Sequence, residues 1–298
     1  MRASNIMFAV VLLTLVVSLL CIWFYPTVQD FMANNSMWNG LKHFSSSTGA
    51  KNIDALDALP ALPENTALIV IPYLKISDGE MAKTKDFVEN GGTLLLMDDY
   101  GYGNSLLEYL GTNIRFSTKP LLDPLFCYKN QRLPKITDFT SDVKESHVSV
   151  VTLNHATALT GVGQSQAIAW SSTTSFLDTD GNESWDQGEP KGPLTVMAES
   201  HLGKGTLVVI ADPSIIINSI VGLDDNYRLV EFLISRNGEP KDIMIDRSNL
   251  PKDTIDVSKL RLQSARDAFS SPFALIGIVA LIFLVVSRFT FRKGELLG

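Results

Sequence analysis

Of the 298 residues, 45% are hydrophobic and only 19% charged, and the formal net charge is −7. A soluble domain of this size carries nearer a quarter charged residues, and the apolar excess sits at the two ends. Ile6 to Tyr25 is a run without charge, and Pro272 to Val286 extends to Phe289 across a single Arg288. Each can cross, as a helix, a hydrocarbon core about 30 Å thick, the second only with the help of its flanks. These ends exclude a freely soluble enzyme, a nucleic-acid-binding protein and a multi-pass transporter.

The reading that follows is a cytoplasmic tail (1–5), a transmembrane helix (6–25), an extracytoplasmic domain (26–271), a second transmembrane helix (272–289) and a cytoplasmic tail (290–298). The first span ends in Cys21-Ile-Trp-Phe-Tyr25 rather than in a small-x-small cleavage site, so it reads as an uncleaved anchor and not a signal peptide. Arg2 before the first span, and Arg288, Arg292 and Lys293 around the end of the second, place both termini in the cytoplasm. Four basic residues on the domain side (Lys252, Lys259, Arg261, Arg266) pull the other way, but they belong to a long translocated segment, where the charge rule is weak. Without its tails the domain holds 21 basic and 31 acidic residues, a net of −10. That charge repels nucleic acid and anionic lipid and suits cations. Cys127 is alone in the domain, so no disulfide forms within it.

After a polar and aromatic stretch (30–49) and a proline-containing segment to Pro63, Ala67 to Ile71 reads as a strand buried on both faces. Ser77-Asp-Gly-Glu80 has the spacing of a capping box. The helix it opens runs to Glu89, with Met81, Thr84, Phe87 and Val88 inward, and Asn90-Gly91-Gly92 stops it. Thr93 to Met97 is a second buried strand. Strand, helix and strand in about thirty residues form a βαβ unit with a parallel pair. A short helix is expected over 105–110, with Asn104 or Ser105 as its cap. The stretch from Arg115 to Asp142 reads as irregular. Strands are expected at 148–153, 166–171, 194–200 and 206–210, a helix at 226–235 capped from Asp224-Asp-Asn226, an edge strand at 243–245 and a helix from Lys259 to Phe269. The fold class is α/β, a layered sheet with helices on both faces, flanked by one transmembrane helix at each end.

The most informative stretch is the acidic loop Asp178 to Glu189. Oxygen-bearing side chains fall at positions 1, 3, 5, 7, 9 and 12, namely Asp178, Asp180, Asn182, Ser184, Asp186 and Glu189. This is the ligand spacing of a calcium loop, with the last carboxylate placed to chelate through both oxygens. Trp185, at position 8, is expected to anchor the loop to the core. Position 6, glycine in an EF-hand, is Glu183, and glycine sits instead at position 4 (Gly181). The flanks also exclude helix–loop–helix: Ser171 to Phe176 reads as extended, and Pro190-Lys-Gly-Pro193 breaks any exiting helix. A structural calcium ion in a loop between strands remains, against the plainer reading of a solvated acidic turn.

Catalytic signatures are missing: no Gly-x-Ser-x-Gly, no His-Glu-x-x-His, no phosphate loop, and Cys127 lacks the glycine-flanked elbow of a nucleophile. Asp98-Asp-Tyr-Gly101 follows a buried parallel strand, where open α/β sheets bind ligands, and Asp212-Pro-Ser214 follows another. Asp98, Asp99, Tyr100, Gly101, Asp212 and Ser214 are therefore ligand-cleft candidates, the plainer reading being strand-to-helix connections. Two sequons occur, at Asn34 and Asn182, the second overlapping the proposed calcium ligands.

Several segments together carry a resemblance: Trp38-Asn-Gly40, Ile69-Val-Ile-Pro72, the capped helix, Gly91 to Gly101, the acidic loop into Gly192-Pro193, Gly205 to Asn218, and Asp225-Asn226. They resemble an uncharacterised prokaryotic membrane family, best represented in archaea, whose domain of unknown function is similar to class I glutamine-amidotransferase-like, flavodoxin-like domains. The resemblance implies that fold. It also implies relatives in gliding-type ABC systems and ciliary transport proteins that share the fold without acting as enzymes, and a surface complex linked to a MoxR-type ATPase. Amidotransferases carry a catalytic Cys where this chain has Asp98-Asp99-Tyr100, so glutaminase activity does not transfer. The expected function is a membrane-anchored, non-catalytic extracytoplasmic interaction or scaffold domain with a structural calcium loop and a membrane or surface protein as partner. A small-ligand-binding or sensor domain is the alternative, and a hydrolase using carboxylates at strand ends ranks last.

Overall fold

The runs Thr-Ala-Leu-Ile-Val and Thr-Leu-Leu-Leu-Met are apolar at every position, because both faces of the strands they form are covered. They are β2 and β3 of the computed structural model, which describes residues 3–163, 166–236, 242–251 and 253–270 and, beyond these, only 276, 277, 280 and 283. The expected second span, 272–289, therefore falls outside the described residues apart from four positions. In chain order the elements are α1 (Ala3–Phe24), α2 (Lys42–Thr48), β1 (Lys51–Ile53), β2 (Thr66–Val70), α3 (Asp78–Glu89), β3 (Thr93–Met97) and α4 (Asn104–Tyr109). Next come β4 (Arg115–Phe116), β5 (Leu121–Leu122), β6 (Lys135–Ile136), β7 (Asp138–Phe139), α5 (Ser141–Glu145), β8 (Val151–Thr152), β9 (Leu159–Thr160) and β10 (Ala167–Trp170). The chain continues through β11 (Phe176–Leu177), β12 (Thr195–Leu202), β13 (Gly205–Ile210), α6 (Asn226–Ile234), β14 (Asp242–Asp246) and α7 (Thr254–Phe269).

These elements fall into two units, Thr27–Pro251 and a second made of the chain ends, Met1–Pro26 with Lys252–Gly298. In the end unit, Ile6–Phe24 of α1 is long and apolar enough to cross a membrane, a property it shares with signal sequences. The α7 helix lies against α1 there, with the Arg266 guanidinium 5.8 Å from the Trp23 ring and the Lys259 ammonium bonded to the Tyr25 carbonyl.

The other unit is built on one mixed sheet of order β1-β14-β2-β3-β13-β12-β10-β7, parallel from β1 to β13 and antiparallel beyond. Side chains alternate between its two faces. Ile69, Leu95, Val208 and Ile210 meet Phe44 of α2 and Leu229, Val230 and Leu233 of α6. Leu68, Leu94, Leu96 and Val209 meet Met81, Phe87 and Val88 of α3 and Leu106 and Leu107 of α4. Helices thus cover both faces. The capping box opening α3 forms as its spacing predicts, Ser77 accepting from Glu80 N–H while the Glu80 carboxylate accepts from Ser77 N–H.

The structure departs from expectation in five places. The strand expected at an edge (243–245) is Asp242–Asp246, which lies inside the sheet because Lys51–Ile53, unread from the sequence, pairs along its outer side. Of the strand expected at 148–153, only Val151–Thr152 pairs, and with β6 outside the main sheet. The reason is that side chains claim its backbone: Asp225 accepts from Ser149 and Val150 N–H, and Asn226 bonds both N–H and C=O of Thr152. The stretch 30–49 contains α2, and the irregular stretch 115–142 holds four two-residue strands. The segment expected to be extended from Ser171 to Phe176 turns at Thr173-Thr174 before β11 begins.

Candidate functional site

The acidic loop closes on itself at the end of β11, where Leu177 N–H bonds the Pro190 carbonyl and Asp178 N–H the Pro120 carbonyl. Asp178 is buried at 2% exposure and organises the turn, its two oxygens accepting from Gly181 N–H (2.7 Å) and Glu183 N–H (3.1 Å). Glu189 reaches back across the loop to accept from Thr179 N–H (2.6 Å), the Thr179 hydroxyl (2.9 Å) and Asp186 N–H (3.1 Å). Those bonds, the one from Thr179 N–H foremost, hold its carboxyl below the ordinary glutamate value.

As a result, carboxylate oxygens of Asp178, Asp180 and Glu189 lie within 4.8 Å of one another. Asp186 does not join that trio. Asn182 Nδ2 bridges Asp180 (3.1 Å) and Asp186 (2.5 Å), which holds Asp186 one step away, and Ser184 is engaged through its backbone N–H on Asn182 Oδ1 (2.8 Å). Among the described residues no Lys or Arg forms an ion pair with Asp178, Asp180, Asp186 or Glu189. The nearby cations are engaged elsewhere: Arg132 on Glu183 (2.5 Å), Lys191 over the Trp185 ring (4.9 Å) and Lys119 on the Thr179 carbonyl (3.1 Å). Asp178, Asp180 and Glu189 are the residues that could hold a metal ion there, supplying three of the six to eight oxygens that calcium takes.

Two details differ from an EF-hand. Glu183 adopts φ +62°, the left-handed turn that glycine serves at position 6, held there by Arg132 and Gln131. Trp185 does not anchor the loop to the core: it is 46% exposed, its indole N–H bonds the Glu189 carbonyl at 3.3 Å, and Lys191 lies over its ring.

The second candidate lies at the carboxyl ends of the parallel strands. From β3 the chain passes to α4 on one face of the sheet, and from β13 to α6 on the other, so the gap between β3 and β13 is the topological switch point. Asp98 is buried beside it and closes the loop after β3: Oδ1 accepts from Tyr100 N–H (2.9 Å) and Gly101 N–H (3.1 Å), Oδ2 from Gly103 N–H (2.6 Å). Gly101 has φ +90°, and a Cβ there would sit 2.4 Å from Thr118 Cγ2. The expected caps Asn104 and Ser105 do not cap α4. The Asn104 amide instead bonds both backbone groups of Phe116, leaving the turn to Asp98. Likewise Asp225 and Asn226 tie α6 to β8 rather than capping it. Asp212, fully buried, accepts from Asn154 N–H and Ser214 N–H, both at 2.7 Å, and opens the turn that contains Ser214.

The register of β2, β3 and β13 aligns Ile69, Leu95 and Val208; Tyr73, Asp99 and Asp212 follow the ends of these three strands by two or three residues. The bond from Asp98 N–H to the Ile210 carbonyl (3.2 Å) is the last of the β3–β13 ladder. Burial, and then the charge of Asp98, push Asp99 up to about 7; its Oδ1 is buried without a hydrogen-bond partner. Burial, assisted by Asp99, pushes Asp212 up to about 8 against the bonds from Asn154 and Ser214. Asp98 is also raised by burial, which outweighs its backbone donors. Tyr73 is raised by burial and then by Asp99, and its ring packs between Phe31 (5.5 Å) and the exposed Tyr100 (5.6 Å). Tyr73 is the residue that motif reading passes over; its signal is its place just past the end of β2.

Compared with known proteins, residues 33–234 match the model of a domain of unknown function, DUF4350. The chain belongs to the DUF4350 family. Both candidate sites lie inside the DUF4350 region. No curated protein matches the sequence. Among solved structures the chain is similar to the mmIFT52 N-terminal domain, at TM-score 0.53 and 13% identity, over 72% of this chain and 95% of that one. At that identity the likeness concerns the fold alone. It also aligns with the beta-galactosidase from Bacillus circulans sp. alkalophilus (TM-score 0.35, 14% identity, 59% of this chain, 23% of that one). An exo-beta-1,4-mannosidase, Op5Man5 from Opitutaceae bacterium strain TAV5, aligns at 0.33 and 11%, over 59% and 26%. Neither enzyme match is close enough to bear on this DUF4350 protein.

Proposed function

We propose that this DUF4350 protein is a membrane-anchored, non-catalytic interaction or scaffold domain outside the cell, in which calcium fixes the shape of the Asp178–Glu189 loop. The observation that carries this reading is the convergence of Asp178, Asp180 and Glu189 within 4.8 Å with no basic partner among the described residues. The loop is tied through Glu183 to Arg132 and Gln131 of the neighbouring hairpin, so an ion there would set the position of a larger surface. In this reading both ends of the chain span the bilayer, both termini are cytoplasmic, and the partner is another membrane or surface protein, within an assembly linked to a MoxR-type ATPase. The resemblance to amidotransferase-like, mostly archaeal membrane proteins belongs to the same reading.

The sensor alternative draws support from Tyr73, Asp99 and Asp212, each just past the end of a parallel strand beside the switch point. A hydrolase fits less well. An acid–base pair needs two carboxyls pushed in opposite directions, whereas Asp98, Asp99 and Asp212 are all raised.

The test is affinity capture of the full chain from its native membranes, in calcium and in a chelator, with Glu189→Gln alongside. The reading expects one reproducible partner, held in calcium and released by chelation or by the variant. Capture of no reproducible partner, or of one indifferent to both, contradicts it.

A further inference from the structure

The chain enters and leaves the Thr27–Pro251 unit at the carboxyl edge of the sheet. The Gln29 side-chain amide donates to the Pro251 carbonyl, and Tyr73 N–H, just past β2, bonds the Asn249 carbonyl (3.0 Å), just past β14. Phe24, the last residue of α1, precedes Gln29 by five residues. At about 3.3–3.6 Å per extended residue, that tether reaches at most about 18 Å. With Ile6–Phe24 across a bilayer, the carboxyl edge is therefore the part of the domain held nearest the lipid.

The same edge exposes large apolar and aromatic side chains. Trp38 is 66% exposed and Tyr100 62%, and Met37, Leu74 and Tyr102 are exposed beside them in the chain. They belong to three loops in contact with one another. Phe31 N–H bonds the Asn39 carbonyl (3.1 Å), the Phe31 ring packs on Tyr73 (5.5 Å), and the Tyr73 ring packs on Tyr100 (5.6 Å). Nor is the Trp38 turn loose. Asn35, fully buried, donates to the Gln29 carbonyl (2.8 Å) and accepts from Met37 N–H (2.7 Å). Asn218 Nδ2 donates to the carbonyls of Asn35 (2.9 Å) and Met37 (2.6 Å), and Ser219 N–H to that of Trp38 (3.1 Å). A Cβ on Gly40 would sit 2.1 Å from the Asn35 carbonyl oxygen. The fold thus fixes the backbone of a turn whose tryptophan it leaves uncovered.

Exposed apolar side chains grouped on rigid loops mark a contact surface. Trp and Tyr, apolar in the ring and polar at N–H or O–H, are the side chains suited to a membrane–water interface. The exposed charged residues of 27–40, 72–76 and 98–103 are Asp30 and Lys75, one of each sign. We propose that the carboxyl edge of the sheet is a lipid-facing surface, with Trp38, Leu74 and Tyr100 in the headgroup layer of the bilayer that α1 spans; this rests on the membrane-anchored reading. The lipid is zwitterionic, because the net charge of −10 on residues 26–271 repels anionic headgroups. The opposite edge, with the β12–β13 turn at Gly203-Lys204, then faces away from the membrane.

The experiment reconstitutes the full chain in phosphatidylcholine vesicles at high lipid excess. Leu13→Cys, Tyr100→Cys and Lys204→Cys, each made with Cys21→Ser and Cys127→Ser, carry a spin label. Its accessibility is read to oxygen, which concentrates in lipid, and to a nickel chelate, which stays in water. The proposal expects the labels at positions 13 and 100 to favour oxygen and lose access to nickel, and the label at position 204 to remain open to nickel. A label at 100 as open to nickel as that at 204, with position 13 in lipid, overturns the proposal and leaves the anchor standing. Nickel access at position 13 overturns the anchored reading and the proposal with it. Shielding of position 100 from both reagents overturns the proposal in favour of a second copy or another protein. The chain with its cysteines intact gives a second reading: phosphatidylcholine brominated near the headgroup should quench Trp38 fluorescence, and Trp38→Phe should remove that quenched fraction. Equal quenching of the two chains overturns the proposal whether or not the labelled variants fold.

Discussion

Replacing Asp98 separates a structural carboxylate from one that is free to meet a ligand. Its side chain is 2% exposed and accepts three backbone N–H groups, of which Gly103 N–H is buried and the other two partly so. Alanine leaves all three without a partner. At about 1–3 kcal/mol for each orphaned donor, with the lower end for the two that water can reach, the loss comes to about 3–5 kcal/mol. Removing a buried charge that lacks a cation returns part of this, so the lower half of the range is expected. Asparagine keeps Oδ1 for Tyr100 and Gly101 but turns an amide N–H₂ toward Gly103, and should cost about 1–2 kcal/mol. Urea unfolding of the full chain in detergent, followed by circular dichroism, reads both numbers, provided the denaturant slope is unchanged. If both variants stay within about 0.5 kcal/mol of wild type, Asp98 does not hold the loop and the reasoning fails.

Three further outcomes are expected. Asn226→Ala, which removes bonds to Thr152 N–H, Thr152 C=O and the Ile220 carbonyl from a fully buried position, should cost about 2–4 kcal/mol in the same assay; a near-neutral result would show that β8 is held by packing alone. Gly205→Ala would place a Cβ 2.1 Å from the Val88 carbonyl oxygen and 2.3 Å from that of Gly92, so the expected outcome is loss of folded protein on expression, and a stable variant contradicts the α3–β13 contact. On the acid side, burial pushes the Asp224 carboxyl up, but the Thr152 hydroxyl and Lys135 together hold it below the ordinary range. Its contribution is present above about pH 4 and is lost as pH falls further, so Asp224→Asn should flatten the acid limb of a stability–pH curve.

What the chain discloses about itself depends on how local the cause is. The β2–α3–β3 unit reads directly because apolar runs, a capping box and Asn90-Gly91-Gly92 all act within a few residues. Lys51–Ile53 could not be read, having one buried apolar residue and owing its strand form to β14, almost two hundred residues away. Val148 to Leu153 misleads for the converse reason: its alternation is that of a strand, but Asp225 and Asn226 bind the backbone that a sheet neighbour would need. At the acidic loop, spacing identifies six oxygens, yet which of them converge depends on the Asn182 bridge and on Glu189 reaching Thr179. At the switch point Asp98, Asp99 and Asp212 are visible in the sequence. Their difference in role is not, since it follows from which backbone N–H groups each one meets, and Tyr73 joins them only through the packing of its ring on Tyr100.

The central claim is calcium at Asp178, Asp180 and Glu189, and calorimetric titration of the full chain in detergent tests it most directly. One calcium site is predicted, with an affinity of about 10⁻⁴–10⁻³ M, the range of extracellular calcium modules. A rise in melting temperature should accompany it, equivalent to about 1.4 kcal/mol at ten times the dissociation constant. Both should be lost in Glu189→Gln. No heat and no shift in melting temperature at saturating calcium, or an unchanged titration of the variant, would contradict the account.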